Sequence, residues 1–243
     1  MLMRLDKYLS YCDAGSRSEV KKIISAGRVS VNGFIQKDPA FSVDTVRNFV
    51  EVDGQPASFR RFVYLMMNKP EGYLSATTDD RQPTVMDLLP EWCRKRGVAP
   101  VGRLDKDTTG LLLLTDDGGV NHDLTSPRRH VDKVYLAVVD SAITQEDIDA
   151  FAQGMRFSDF VAELAVLRQI RSMGQGCFLA EVTLHEGKYH QVKRMFAARG
   201  KHVLELQRVA MGPVELDPSL GPGDWRELTL WEMQALNIRN PNL

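Results

Sequence analysis

Near the start of the chain, apolar residues recur at spacings of three and four, which is the period of a helix that buries one face. Two stretches show this pattern and predict two successive helices. Their buried faces consist of Leu5, Tyr8, Leu9 and Cys12 in the first helix, and of Val20, Ile23 and Ile24 in the second.

Local signals mark the start of the second helix and a hairpin behind it. Ser16 is a suitable N-cap, and Glu19, three residues later, completes a capping-box pattern. The following segment RVSVNG alternates and reaches Asn32-Gly33, the strongest short signal for a hairpin turn. Together these elements predict a small αβ domain over residues 1–58.

A larger domain is expected after a turn-rich and basic segment at 53–61, which we interpret as the linker. FVYLMMNKP then predicts a buried strand that ends at Pro70. Beyond it, strands and helices do not alternate one to one, so the expected fold class is α+β, with a mixed, largely antiparallel sheet flanked by helices. We expect this domain to span 62–236, with a loose tail at 237–243. The segments that carry the prediction are the strands GLLLLTDDG, KVYLAVV, FLAEVTLHEG and HVLELQRVAMG, and helices near 83–96, 144–153 and 188–199.

Composition places the chain among ordinary globular proteins, with 43% hydrophobic and 26% charged residues. Its 243 residues are enough to bury a core without disulfides or metals. Cys12, Cys93 and Cys177 form no CxxC pair, which argues against a zinc ribbon or a disulfide framework. The chain starts with charged residues rather than a signal peptide, and no apolar stretch approaches the roughly 20 residues that cross a bilayer. We therefore expect a cytoplasmic protein with no membrane partner.

The net charge of -1 gives no sign of a polyanionic partner, but the basic residues are clustered. One cluster lies on the second predicted helix, where Arg17 and Lys21 share a face. Such segregation in a nearly neutral protein favours a basic surface for a polyanion, although each cluster alone is typical of a solvated face. The three clusters are Arg17, Lys21, Lys22 and Arg28; then Arg128, Arg129, His130 and Lys133; and six Lys or Arg residues from Lys188 to Arg208.

The most unusual stretch, VGRLDKDTTGLLLLTDDGG, places Asp105 on a loop that leads into an apolar strand. A rigid strand can fix a catalytic group at its end, so Asp105 is a candidate for chemistry. An aspartate in such a loop is also commonly a turn-capping residue. A third reading is that Asp105 and Asp107 bind a divalent ion, as in a metal-dependent nuclease, although no third ligand is evident nearby.

A second stretch, HEGKYHQVKRMFAARG, superficially suggests a zinc protease. His190 lies one residue too far from His185 for the HExxH motif, so we do not interpret the pair as a metal site. A helix beginning near Tyr189 places Lys193 beside apolar residues, where its cation is able to hold a carboxylate ionised. Tyr135 in KVYLAVV is a candidate for stacking on a nucleobase, or else a core aromatic.

Five segments, in the same order, resemble known blocks of two families. The segment at 4–33 resembles the S4 RNA-binding domain. The segments at 64–75 (YLMMNKPEGYLS), 102–118 (GRLDKDTTGLLLLTDDG), 126–136 (SPRRHVDKVYL) and 186–208 are similar to motifs of the RsuA/RluB/E/F family of pseudouridine synthases. The resemblance covers nearly the whole chain.

The resemblance implies a role for each residue that matches a motif. Asp105 is similar to the family's catalytic aspartate, and Arg103 to the arginine that helps to displace the target base. Tyr135 corresponds to the active-site tyrosine that packs against the base. Lys193 falls where the family keeps a basic residue paired with the aspartate, and Arg194 is next to it and is a second candidate for that role.

The resemblance also implies support and RNA contacts around these residues. Lys69 and Pro70 belong to the family's first motif, which we interpret as structural support near the site. We expect RNA contacts at Arg103, Arg194, Arg17, Lys21, Lys22, Arg28, Arg128 and Arg129.

The implied activity is the isomerisation of a uridine in ribosomal RNA to pseudouridine, with no cofactor and no metal. The wording of the motifs is closer to the small-subunit branch, so we expect 16S ribosomal RNA, at uridine 516, or a small-subunit assembly intermediate as the substrate. The alternatives are a 23S target of the same family, and a non-catalytic S4-type RNA-binding or ribosome-assembly factor. We also expect a monomer.

Overall fold

The computed structural model describes residues 1–12, 15, 17–57 and 59–238, without the side chain of Arg17. Its described residues divide into two compact units, each with its own core. The first comprises Met1–Val63 and Glu91–Gly97, and the second Tyr64–Pro90 and Val98–Ile238. Within the described residues, the helices are all too short or too polar to span a bilayer.

The first unit contains three helices and two small antiparallel sheets, β1-β4 and β3-β2-β5-β6. The two helices expected at its start are present, and the Ser16 cap expected between them lies outside the described residues. The elements are β1 (Leu2–Arg4), α1 (Leu5–Ser10), α2 (Arg17–Ser25), β2 (Val29–Val31), β3 (Phe34–Ile35), β4 (Ser42–Asp44), β5 (Val50–Val52), β6 (Gln55–Pro56) and α3 (Glu91–Arg96).

The predicted hairpin turn joins β2 to β3. Asn32 and Gly33 have φ angles of 52° and 82°. Positive φ at both central residues is the requirement of a type I′ turn, which matches the twist of a hairpin and explains the Asn-Gly pair.

The segment at 53–61 is part of the first unit rather than a free linker. Its first residues form the turn and second strand of the β5-β6 hairpin. Phe59 then stacks on Tyr8 at 5.2 Å between ring centroids, beside the core residues Leu5 and Leu9. The turn signal in this segment belongs to the β5-β6 hairpin, and the aromatic residue that follows the hairpin, Phe59, is partly buried against the core.

The second unit is built on one large sheet in the order β13-β14-β10-β15-β9-β7-β17, with β16 paired to β15 and β8 to β9. Its elements are β7 (Tyr64–Lys69), β8 (Ala99–Pro100), β9 (Thr109–Thr115), α4 (Gly118–Thr125), β10 (Lys133–Val139), α5 (Gln145–Gln153), β11 (Met155–Arg156), β12 (Val161–Ala162), β13 (Val166–Gly174), β14 (Cys177–Leu184), α6 (Gln191–Ala198), β15 (Val203–Met211), β16 (Val214–Glu215), β17 (Trp225–Glu227) and α7 (Leu230–Ala235), with 3-10 turns at Val85–Leu88 and Pro127–Arg129.

Among the described strands of this sheet, β9 and β15 form the one parallel pair, and the others are antiparallel. This confirms the expected α+β class. Leu111 to Leu114 in β9 are all buried, as the uninterrupted apolar run predicts for a central strand.

Several elements differ from the sequence prediction. The helix expected near 83–96 is a short 3-10 turn followed by the separate helix α3, because Pro90 between them has no N–H and disfavours a helical residue before it. The helix expected near 188–199 starts later, at Gln191. Strand β13 and helices α4 and α7 were not predicted. In the tail expected at 237–243, Ile238 is buried, and 239–243 lie outside the described residues.

Candidate active site

A buried lysine holds the loop that carries Asp105 through hydrogen bonds to backbone carbonyls. Lys69, at the end of β7, is 0% exposed. Its ammonium donates hydrogen bonds to the carbonyl oxygens of Pro70, Lys106 and Thr108, at 3.0, 3.2 and 2.9 Å. Burial lowers the pKa of Lys69 to about 8, against the opposing effect of nearby carboxylates. The structure therefore agrees with the supporting role expected for Lys69.

A second set of hydrogen bonds fastens the loop on its other side. The hydroxyl of Ser75 donates to the Leu104 carbonyl at 2.9 Å and accepts from the Leu104 N–H at 3.0 Å. The backbone N–H of Gly72 donates to the carbonyl of Lys106 at 2.8 Å. Asp105 is thus held between two residues whose backbones are bonded to the rest of the unit.

Gly110 explains the Thr-Thr-Gly sequence that follows the loop. A Cβ atom at this position would lie 2.2 Å from the backbone oxygen of Arg208, and the φ angle is +98°. Both facts exclude a side chain where β9 begins to pair with β15. The glycine lets the loop pass close to β15, beside the position of Asp105.

A histidine and a lysine face the carboxylate of Asp105, whose side chain is 28% exposed. Nε2 of His190 lies 3.5 Å from Oδ1, and Nζ of Lys193 lies 3.9 Å from Oδ2. Lys193 is much closer to Asp107, at 2.5 Å from its Oδ1. A hydrogen bond from Lys193 lowers the pKa of Asp107. The expected neighbour of Asp105 is therefore present, but it binds the second aspartate more tightly.

Lys193 reaches the site because its helix is anchored by apolar residues. Val192, Met195 and Phe196 of α6 are buried, which places Lys193 on the opposite side of the helix from the core. Arg194 is turned away: its guanidinium binds Asp159 at 2.5 Å. The suggestion that Arg194 shares the pairing with Asp105 has no support in this arrangement.

Asp105, Arg103 and Tyr135 line one open pocket of about 410 Å³. Tyr135 is only 7% exposed, so it is an inward-facing residue whose ring forms part of the pocket wall rather than an outward-facing one. Arg103 is exposed at the same pocket. Apolar side chains, including Leu184 and Leu206, complete the wall. The pocket combines a carboxylate, a cation and an aromatic ring.

The basic clusters only partly form an exposed surface. Lys21 and Lys22 on α2 are exposed, as is Arg128. Arg28 is held by Asp53 at 2.5 Å, and Arg129 by Asp123 at 3.0 Å. The expectation of three exposed basic patches is therefore too broad.

Several cations counted in those clusters have structural positions. Burial lowers the pKa of Lys133 to about 8, and its ammonium donates to the carbonyls of Val131 and His185. Arg208 is also buried, and its Nε donates to the carbonyl of Leu111. A count of charges along the sequence does not separate such residues from surface ones.

Sequence reasoning missed His190, which it considered only as a failed metal ligand. His190 has a left-handed backbone with φ 50° and ψ 32°, so no helical or strand periodicity places its ring. In the described part of the chain, there is no group of three or more His, Cys, Asp and Glu residues arranged to hold a metal ion.

Comparison with known proteins gives a consistent result. A family model described as RNA pseudouridylate synthase matches residues 63–198, and an S4 domain model matches residues 3–45. An uncharacterized RNA pseudouridine synthase of Bacillus subtilis is 47% identical over 236 residues, which is 97% of this chain and 98% of that protein.

Two further relatives have more specific names. Ribosomal small subunit pseudouridine synthase A of Pseudomonas aeruginosa is 43% identical, covering 95% of this chain and 99% of the relative. The protein of the same name from Escherichia coli is 38% identical, covering 96% and 100%. A crystal structure of a pseudouridylate synthase is 34% identical with a TM-score of 0.66, covering 96% of this chain and 99% of the other.

Proposed function

Because this chain belongs to the RNA pseudouridylate synthase family, with an S4 domain at its start, we propose that it modifies small-subunit ribosomal RNA with Asp105 as the catalytic carboxylate. The observation that carries the proposal is the single pocket that contains Asp105, Arg103 and Tyr135. All three were candidates from the sequence, on two separate segments, 102–118 and 126–136.

The choice of small-subunit RNA rests on the relatives. Those from Pseudomonas aeruginosa and Escherichia coli are named for the small ribosomal subunit, and each matches this chain over nearly its whole length. We propose 16S ribosomal RNA as the substrate, with uridine 516 as the target, either in free RNA or in an assembling subunit.

The reaction breaks the bond between N1 of uracil and C1′ of ribose and forms a bond between C5 and C1′. N1 gains a proton and C5 loses one, so the product is an isomer and no oxidant or reductant is consumed. A uridine in a stack must be everted before a protein group can reach this bond. We propose that Arg103 occupies the space the base leaves, while Tyr135 packs on the everted ring.

Asp105 supplies the carboxylate for this chemistry. As a nucleophile it attacks either C1′ of the ribose or C6 of the uracil, and as a base it removes a ribose proton. The pocket is compatible with each of these routes. Nζ of Lys193, at 3.9 Å from Oδ2 of Asp105, places a positive charge beside the carboxylate on each of these routes.

Replacement of one carboxylate oxygen provides the central test. We expect Asp105→Asn to bind 16S RNA with an affinity close to that of the parent protein, and to form no detectable pseudouridine. Both proteins would be incubated with 16S and 23S transcripts and with isolated subunits, and pseudouridine would be mapped by chemical labelling and reverse-transcription stops. Full activity of Asp105→Asn would contradict the catalytic role.

The same experiment separates the alternatives. Modification of 23S RNA alone would assign the enzyme to the large subunit. If the parent protein binds RNA but modifies neither transcript nor any subunit, a non-catalytic role in ribosome assembly replaces the proposed one. A matched control, Asp159→Asn, changes an exposed aspartate that lies beside Arg194, and should leave activity near the parent level.

A further inference from the structure

A stacked aromatic pair adjoins the pocket, since the half-buried His190 lines the pocket and the exposed Tyr189 precedes it in the chain. The rings of Tyr189 and His190 are stacked, with centroids 3.9 Å apart and an angle of 17° between their planes. Tyr189 is 73% exposed, so its outer face is open to solvent. A large aromatic side chain in this position leaves apolar surface in water, and it offers a flat surface to another ring.

The pair is continuous with the candidate catalytic group. His190 lines the pocket, and its Nε2 is 3.5 Å from Oδ1 of Asp105. The left-handed backbone of His190 is uncommon for a residue with a side chain. The ring is not used to cap α6, which begins at the next residue. The imidazole therefore has the carboxylate of Asp105 near its Nε2 atom and the ring of Tyr189 stacked on its face.

Buried hydrogen bonds hold the loop on both sides of this pair. Gln191 donates from Nε2 to Oε1 of Glu186 at 2.7 Å, and its own Oε1 accepts from the backbone N–H of Lys188 at 3.0 Å. Glu186 also accepts from the backbone N–H of Glu163 at 2.8 Å. Glu186 and Gln191 are both buried, so the two rings project from a fixed base rather than from a free loop.

We propose that Tyr189 is a stacking platform for the nucleobase that neighbours the target uridine in the RNA chain. This inference rests on the proposed function, because it uses an RNA strand that enters the pocket. A strand with one base everted toward Asp105 has its adjacent base unstacked on that side. Unpaired bases bind aromatic side chains in this manner, with little dependence on base identity. Lys188, which also lines the pocket, provides a cation for the phosphate between the two nucleotides.

The test combines protein variants with missing bases. Tyr189→Ala removes the ring, whereas Tyr189→Phe keeps the ring and removes the hydroxyl. Both would be compared with the parent protein on a 16S RNA fragment that contains uridine 516. Further fragments carry a single abasic nucleotide at each of the two positions on either side of that uridine. Pseudouridine formation and equilibrium RNA binding would be measured for every combination.

Stacking predicts a specific pattern. Tyr189→Ala should lower kcat/KM on the intact fragment by about 5- to 150-fold, mainly through KM, and Tyr189→Phe should stay within about twofold of the parent. At one flanking position, the abasic nucleotide should reduce parent activity by a similar factor yet cause little further loss in Tyr189→Ala. The other abasic positions should affect both proteins equally.

Other outcomes would overturn the proposal. If Tyr189→Ala matches the parent protein, the ring carries no interaction with RNA. If its loss is the same on every abasic fragment, Tyr189 serves only to hold His190. If the parent protein modifies no fragment, the proposed 16S target has failed, and the stacking is then judged by binding alone: equal affinities of the parent and Tyr189→Ala for the intact fragment would reject it.

Discussion

At the residue scale, the closest partner of Lys193 is Asp107 rather than Asp105. Lys193 thus contacts both carboxylates, and its shorter contact with Asp107 weakens its electrostatic effect on Asp105. Asp107 does not line the pocket with Asp105, so we assign it a positioning effect on Lys193.

This arrangement predicts that Asp107 acts on the reaction through Lys193. Lys193→Met should lower kcat/KM by about two- to fivefold, because it removes the positive charge beside both carboxylates. Asp107→Asn releases Lys193 toward Asp105 and should raise kcat/KM in the parent protein, but it should have no effect when combined with Lys193→Met. Asp107→Glu should restore the parent value. An equal effect of Asp107→Asn in both backgrounds would show that the two carboxylates are not coupled through Lys193.

The sequence was informative about single residues where a motif constrained the backbone. Arg103 and Asp105, from one segment, and Tyr135, from another, do meet in one pocket. The division of Lys193 between two aspartates was not predictable, because it depends on the path of a long side chain. His190 was missed for a related reason, since a left-handed backbone gives no periodic signal.

At the scale of elements, Asp147 connects α5 to the region after α6. Its carboxylate accepts hydrogen bonds from Thr144 at the start of its own helix, and it binds Arg199 and Lys201 at 2.9 and 3.1 Å. Burial alone would raise the pKa of Asp147, but the hydrogen bonds from these residues lower it to about 2. A buried carboxylate with this many donors contributes to stability only while it is ionised.

We predict that Asp147→Asn lowers the free energy of unfolding at pH 7 by about 3 kcal/mol, because the buried Lys201 and the partly buried Arg199 lose their partner. The folded pKa lies below the unfolded value near 3.8, so the stabilisation is complete above that pH and is lost as the pH falls toward 2. Urea unfolding at several pH values measures the difference. Asp149→Asn, on the exposed side of the same helix, is the control and should change stability by less than about 0.5 kcal/mol. A difference between Asp147→Asn and the parent that stays constant from pH 7 to 3 would contradict this account.

Elements were predicted well where burial imposes a pattern. Strand β10 and helix α5 have nearly the predicted bounds, since each alternates or repeats with one buried face. Strand β13 was missed because it lies at the end of the sheet and most of its residues are exposed, so it has no apolar run or regular alternation. The 83–96 helix was overextended because its two halves belong to different units, which local periodicity does not reveal.

At the scale of the whole molecule, the chain combines an S4 domain, at residues 3–45, with a pseudouridylate synthase region, at residues 63–198. The exposed lysines on α2 are the best candidates for contacts with the RNA backbone in the first unit. Each lysine that neutralises a phosphate makes binding more sensitive to salt.

We predict that Lys21→Ala with Lys22→Ala weakens RNA binding and leaves kcat unchanged at saturating RNA. The slope of log affinity against log salt should fall in magnitude by about 1.5 if both residues contact phosphates. Arg28→Ala is a matched control, because its guanidinium is already bound to Asp53 and should contribute less. Titrations of 16S RNA at several salt concentrations measure both quantities. A reduced kcat with an unchanged slope would place these lysines outside the binding surface.

The fold class was predictable because strands outnumber helices and do not alternate with them, which excludes a doubly wound sheet. The division of cations between the surface and the interior was less predictable from the sequence. Lys133 and Arg208 appear in basic segments of the sequence but are buried in the structure. Only the folded chain distinguishes a cation that faces solvent from one that satisfies backbone carbonyls.

The buried ammonium of Lys69 has a consequence for how the enzyme matures. It joins the end of β7 to two carbonyls on the loop of Asp105, those of Lys106 and Thr108, and to the carbonyl of Pro70 beside it. We therefore expect the loop to have no independent melting transition and to gain its geometry in the same cooperative step that pairs β7 with β9.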